Sequence, residues 1–170
     1  MHTDHRGLVG TSWQYRCMTA LPEELVLHSA HVADMSPVTL YRLAALRQTV
    51  FVVEQNCVYL DLDGRDLDRG SVQIWAEDSS GSVAATVRIL EEGASESGAR
   101  SIGRVVTAPA WRGRGVAGVL LEAAIEQCGE RTIVLHAQSH LVDWYARFGF
   151  SRAGDEYLED GIPHTPMQLH

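Results

Sequence analysis

The run Arg112-Gly113-Arg114-Gly115-Val116-Ala117 stands between a strand-like segment and a helix-like one. That arrangement can hold a pyrophosphate. Backbone N–H groups at an uncapped helix start converge on an anion, the helix dipole adds a favourable field, and glycines let the backbone come close to oxygen atoms. Arg112 and Arg114 can add charge-assisted hydrogen bonds. Gly113, Gly115 and Gly118 do fall at the dinucleotide GxGxxG spacing, a weak signal for NAD by itself, while the nucleotide GxxxxGKS/T pattern is absent, so ATP is poorly supported. The bland alternative is a plain strand-to-helix turn with solvated arginines. Other chemistry-bearing residues give weaker signals. Asp61, Asp63, Asp66 and Asp68 suggest calcium, but the order DLDGRD breaks the EF-hand pattern. His136 and His140 straddle a strand-to-helix junction, where two side chains need not share a face for zinc. The three cysteines, Cys17, Cys57 and Cys128, form no CxxC, so no metal site and no disulfide framework is expected.

The elements that must position these residues follow from patterning. A first strand is expected over Leu25 to Val32, then an N-cap at Ser36, a first-turn Pro37 and a helix from about Val38 to Val52. Asn56 to Gly70 is an acidic, glycine-containing loop. Val72 to Glu77 and Val83 to Leu90, joined by Asp78-Ser79-Ser80-Gly81, read as an antiparallel hairpin. A small polar connector, Glu91 to Arg100, leads to a strand over Ser101 to Thr107. The helix launched from the glycine loop spans Gly113 to Cys128 and stops at Gly129. A strand over Thr132 to His136, a short helix over Leu141 to Phe148 stopped by Gly149, and closing strands over Phe150 to Tyr157 and Thr165 to Leu169 complete the chain. The order βα, ββ, βα, βα, ββ predicts one α/β domain, a mixed sheet with helices on its faces.

Composition sets the outer bounds. The chain has 170 residues, 45% hydrophobic and 21% charged, which suits one globular domain rather than a disulfide mini-protein, a collagen or a disordered tail. Its formal charge of -8 has the wrong sign for a nucleic-acid partner or an anionic membrane. No run approaches the ~18 apolar residues of a spanning helix, and the leader lacks a basic flank followed by an apolar stretch. A cytoplasmic protein is expected, with residues 1–20 as a loosely ordered N-terminal extension and 21–170 as the domain.

Arg112, Gly115 and Ala117, after a strand ending in Pro109 and before Leu120-Leu121, resemble the acetyl-coenzyme A motif of the GCN5-related N-acetyltransferases (GNAT). Trp144-Tyr145-Ala146-Arg147-Phe148-Gly149-Phe150 looks like that superfamily's closing helix. More narrowly, Phe51 to Cys57, Asp61 to Gly64, His136 to Gln138 and Tyr157 to His164 resemble its ElaA-like branch. The resemblance implies a single GNAT domain with a mostly antiparallel sheet. It also implies transfer of the acetyl group of acetyl-CoA directly to a primary amine of a small molecule or a protein. The competing class is a non-catalytic coenzyme A-binding sensor or interaction module. A homodimer is compatible with either.

The resemblance assigns roles residue by residue. Val105, Val106 and Thr107 would border the coenzyme, with a backbone N–H freed by irregular pairing serving as an oxyanion donor, and Arg112 to Ala117 would hold the pyrophosphate. Arg104 would line the acceptor side or form an edge salt bridge. Tyr145 would face the coenzyme sulfur, where a phenol of pKa ~10 can give a proton to the leaving thiolate; the alternative is an aromatic packing role, for which Trp144 and Phe148 are the better candidates. An alkylammonium must lose a proton before it attacks, so a base is needed. Glu54 is the first candidate, because partial burial at the end of the first helix would raise its pKa. His164, suited by its intrinsic pKa, is the second, and with Glu159 it is otherwise a substrate-shaping or structural residue. The loop aspartates would form an acidic patch that steers a cationic amine, or a merely solvated loop.

Overall fold

Ser36 and Pro37 start the first long helix as their types predict: the Ser36 side chain accepts a hydrogen bond from the Thr39 amide, and Pro37 fills a first-turn position with no donor to satisfy. The structure, a computed structural model, describes residues 20–93 and 98–170. The expected N-terminal extension therefore lies almost wholly outside the described residues, as does part of the polar connector.

The strands are β1 (Leu25–Ala30), β2 (Val72–Asp78), β3 (Val83–Glu91), β4 (Arg100–Thr107), β5 (Ile133–Gln138), β6 (Ser151–Arg152), β7 (Tyr157–Glu159) and β8 (Ile162–Leu169). The helices are α1 (Pro37–Arg47), α2 (Val116–Cys128) and α3 (Val142–Ala146). All eight strands form one sheet in the order β1-β2-β3-β4-β5-β8-β6, with β7 also on β8. Among the described residues only β4 and β5 run parallel, so this is the mixed, mostly antiparallel sheet expected of a GNAT-like domain.

Strand alternation divides the core between the two faces. Ile74 and Ala76 of β2 pack with Leu120, Leu121 and Ala124 of α2, while Trp75 between them turns to Leu43 of α1. The expected helix to Val52 changes character at Gln48. Residues Gln48–Glu54 are π-helical, an arrangement common at functional sites, and they swing Phe51 and Gln55 over the open end of the sheet. The expected strand over Phe150 to Tyr157 is also corrected. β8 spans eight residues and takes two short partners in succession, β7 against Ile162–His164 and β6 against Met167 and Gln168. Asp160 and Gly161, both at positive φ, make the tight turn from β7 into β8. No helix among the described residues is long and apolar enough to cross a membrane.

Candidate active site

β4 and β5 pair only at Arg100 with Ile133 and Ser101 with Val134, and then part. From Ile102 onward, the edge of β4 that faces β5 has no strand partner. On its other edge β4 carries a bulge. Thr86 faces Val106 and Arg88 faces Gly103, so Arg104 and Val105 together stand against Val87, with Arg104 at φ 54. The irregular pairing expected near Val105 is present on the β3 side, and the parting of β4 from β5 leaves the wedge edge without a strand partner.

α2 begins at the base of this wedge. Gly113 and Gly115 both take left-handed φ, 71° and 79°, and Gly115 is an N-cap with no side-chain hydrogen bond, so the first amides of α2, those of Val116 and Ala117, remain for an anion. The two arginines of the loop are occupied. Arg112 gives both Nη atoms to Glu54, at 2.7 and 2.8 Å, and its Nε to the Thr107 carbonyl. Arg114 reaches Glu24 at 3.2 Å and lies over the Trp111 ring.

A cavity of about 700 Å³ opens on the face of the sheet beside the wedge. Val105, Tyr145 and His164 all line it; Glu54 and the glycine loop do not. Tyr145 is buried in the main core and touches Trp144 and Phe150, whereas Trp144 and Phe148 sit at that core's edge, the reverse of the packing expectation. Burial pushes the Tyr145 phenol up to about 12, which keeps it protonated, and its hydroxyl has no protein partner among the described residues. Glu54 corrects the sequence expectation in the opposite sense. Hydrogen bonds from Arg112 hold its half-exposed carboxyl below the ordinary value, where burial was expected to raise it.

His164, the second candidate base, does line the cavity. Its Nδ1 lies 2.9 Å from the Ile162 carbonyl, which can only accept, so in the neutral ring Nδ1 carries the hydrogen and Nε2 the lone pair. Nε2 has no protein partner among the described residues. Glu159 Oε2 stands 3.9 Å from Nδ1, placed to stabilise the charged ring.

Three of the four loop aspartates, Asp61, Asp63 and Asp66, are ion-paired rather than a free steering patch, while Asp68 is half exposed beside Arg65. Arg47, Asp61, Arg104, Asp63, Arg88 and Asp66 close a ring of alternating ion pairs, with successive separations of 2.9, 2.7, 3.3, 2.8, 3.3 and 2.8 Å back to Arg47. Three cations and three anions cancel, so this end of the cavity carries no net charge. Although partial burial opposes it, the Arg88 contacts hold Asp63 down to about 2. The ring ties the 61–66 loop to the Arg104 bulge and thereby fixes the strand end that borders the wedge. Arg104 lines the cavity and forms the salt bridge at once, so the two placements expected for it coincide.

His136 is weighed in the sequence only against zinc, and Gly103, Tyr157, Asp160, Arg47 and Arg88 carry no assigned chemistry there. Only the alternation of His136 and Gln138 on one face of β5 hinted at the first. Tyr157 meets His136 across 21 residues of chain, Arg47 and Arg88 meet Asp61 and Asp63 across 14 and 25, and Gly103 adjoins a bulge.

Residues 48–170 match the family described as the acetyltransferase (GNAT) domain. The chain belongs to the GNAT acetyltransferase family. A UPF0039 protein of Mycobacterium tuberculosis is 45% identical over 134 residues, 79% of this chain and 86% of the relative. Protein ElaA of Escherichia coli is 39% identical over 143 residues, 81% of this chain and 91% of the relative, which places this GNAT domain in the ElaA-like branch. Among solved structures, an acyl-CoA N-acyltransferase from Pseudomonas aeruginosa superposes with a TM-score of 0.80 at 37% identity, over 86% of this chain and 99% of the other. GNAT membership supports acyl-CoA-dependent acyl transfer by this chain.

Proposed function

We propose that this protein transfers the acetyl group of acetyl-CoA directly to a primary amine in the cavity beside the β4–β5 wedge. The observation that carries the reading is the convergence of Tyr145, His164 and the β4 bulge on that one cavity. The amides of Arg112 to Ala117 hold the pyrophosphate, and Arg112 exchanges Glu54 for a phosphate oxygen. Val105, Val106 and Thr107 border the pantetheine arm, whose thioester carbonyl faces the amides on the edge of β4 that has no strand partner. One such donor is worth about 3 kcal/mol to a developing oxyanion.

His164 Nε2 takes a proton from the acceptor ammonium. The free amine nitrogen then bonds to the thioester carbon and the oxyanion collapses, breaking the C–S bond. Tyr145, kept protonated by burial, offers its proton to the departing sulfur, and the second proton shed by the new amide nitrogen restores the phenol. Orientation in a shielded cleft supplies the rest.

The experiment is thiol release from acetyl-CoA with and without a panel of primary amines. Release that requires amine and is matched by N-acetyl product supports the reading. Coenzyme binding without thiol release, with every amine, supports a coenzyme-binding sensor instead.

A further inference from the structure

The rim of the cavity formed by β5, β7 and β8 is built almost wholly of hydrogen-bond acceptors. Tyr157 Oη lies 2.6 Å from His136 Nδ1 and 3.2 Å from Glu159 Oε2. The tyrosine has one hydrogen to give. A carboxylate can only accept, so the phenol donates to Glu159 and must receive from His136 Nδ1–H. The neutral His136 ring therefore carries its lone pair on Nε2, as His164 does. Neither Nε2 has a protein partner among the described residues, and both rings line the cavity.

His136 pairs with Pro166 and Gln138 with His164, so the two histidines are diagonal neighbours on one face of the β5–β8 ladder, about 7 Å apart in such a pair. Glu159 and Asp160 line the same rim, and among the described residues neither has an arginine or lysine partner. At the opposite end every charged lining residue is paired: Asp63, Arg88 and Arg104 within the ring, Arg65 with Glu92. The cavity is therefore neutral at one end. At the other it is anionic and rich in lone pairs.

We infer that the acceptor is a diamine. One nitrogen loses its proton to His164 and attacks; the second, as an ammonium, donates to His136 Nε2 and faces Glu159 and Asp160. An ammonium has three N–H donors and no lone pair, the complement of this rim, whereas a carboxylate in its place would meet two carboxylates and two lone pairs. His136 is then a specificity residue, and Tyr157 and Glu159 position it by fixing its tautomer. The inference deepens the proposed N-acetyl transfer and rests on His164 as its proton acceptor.

Three acceptors of equal chain length test it: 1,4-diaminobutane, n-butylamine and 4-aminobutanoate, each assayed for amide formation and, separately, for calorimetric binding to the protein–coenzyme A complex. The diamine is expected to exceed n-butylamine by about tenfold or more in kcat/KM and in affinity, with 4-aminobutanoate weakest. His136→Leu should reduce the diamine preference to less than about threefold, and Glu159→Gln, which preserves shape, should reduce it in the same direction. Equal handling of the three acceptors by a protein that acetylates them would overturn the diamine assignment and leave the transfer reading standing. Failure to acetylate any amine, with selective diamine binding retained, would do the converse. Preference for 4-aminobutanoate in either assay overturns the inference.

Discussion

Arg112 clasps Glu54 through both of its Nη nitrogens, which joins the end of the π-helical segment to the proposed phosphate loop across 58 residues of chain. The carboxylate is thereby a competitor for the arginine that a phosphate would use. Glu54→Gln should leave turnover within about threefold of wild type and tighten coenzyme binding by no more than about fivefold, the scale of an exposed ion pair. His164→Asn should instead lower turnover by about a hundredfold, as loss of a general base does. Calorimetry with coenzyme A and steady-state rates on both variants separate the roles; a hundredfold loss in Glu54→Gln would restore Glu54 as the base.

Gly115 takes φ 79° at the start of α2. A side chain there is strained by ~1–2 kcal/mol and stands beside the amides proposed to receive the anion. Gly115→Glu adds a like charge. Coenzyme affinity should fall by about tenfold or more while the circular dichroism spectrum is kept. Unchanged affinity in the folded variant would remove the loop from the binding site.

Tyr145→Phe keeps the ring packing against Trp144 and Phe150 and removes only the hydroxyl. Turnover should fall by about tenfold or more, with coenzyme affinity nearly intact. Equal rates under conditions where chemistry limits turnover would return Tyr145 to a packing role.

The ion-pair ring predicts a stability phenotype. Asp61 is fully buried between Arg47 and Arg104, so Asp61→Ala leaves two guanidinium groups without it and should cost ~3–5 kcal/mol in urea unfolding. Asp63, held down to about 2, has a folded-state pKa below its ordinary 3.8. Its contribution to stability is then complete above that ordinary value and disappears as the pH falls through about 2. Asp63→Asn should flatten this part of the acid-unfolding profile.

Legibility in the sequence followed distance along the chain. Ser36, Pro37, Gly115 and Gly129 act on neighbours within four residues, so the ends of α1 and α2 could be read from residue type alone. The π-helical turns could not, because Val50 to Val53 keep an apolar run that an α-helix would also show. The surroundings of Glu54 are hidden for a related reason: the apolar residues before it suggest burial, and its partner Arg112 comes from a distant loop. The bulge at Arg104 and the ring of Asp61, Asp63 and Asp66 arise from pairing between strands, which no local pattern records. His136 and Tyr157 meet only because β7 and β5 flank the same strand, β8.

The central claim is direct transfer of an acyl group to an amine in this cavity, and the most direct measurement follows the acetyl carbon itself. With acetyl-CoA labelled at the carbonyl by carbon-13, the thioester resonance should decay only when an amine is present, and an N-acetyl amide resonance should grow in equal amount. Gly115→Glu and His164→Asn should slow both changes together. A thioester signal that persists although coenzyme is bound, or one that decays to acetate with no amide, would contradict the account.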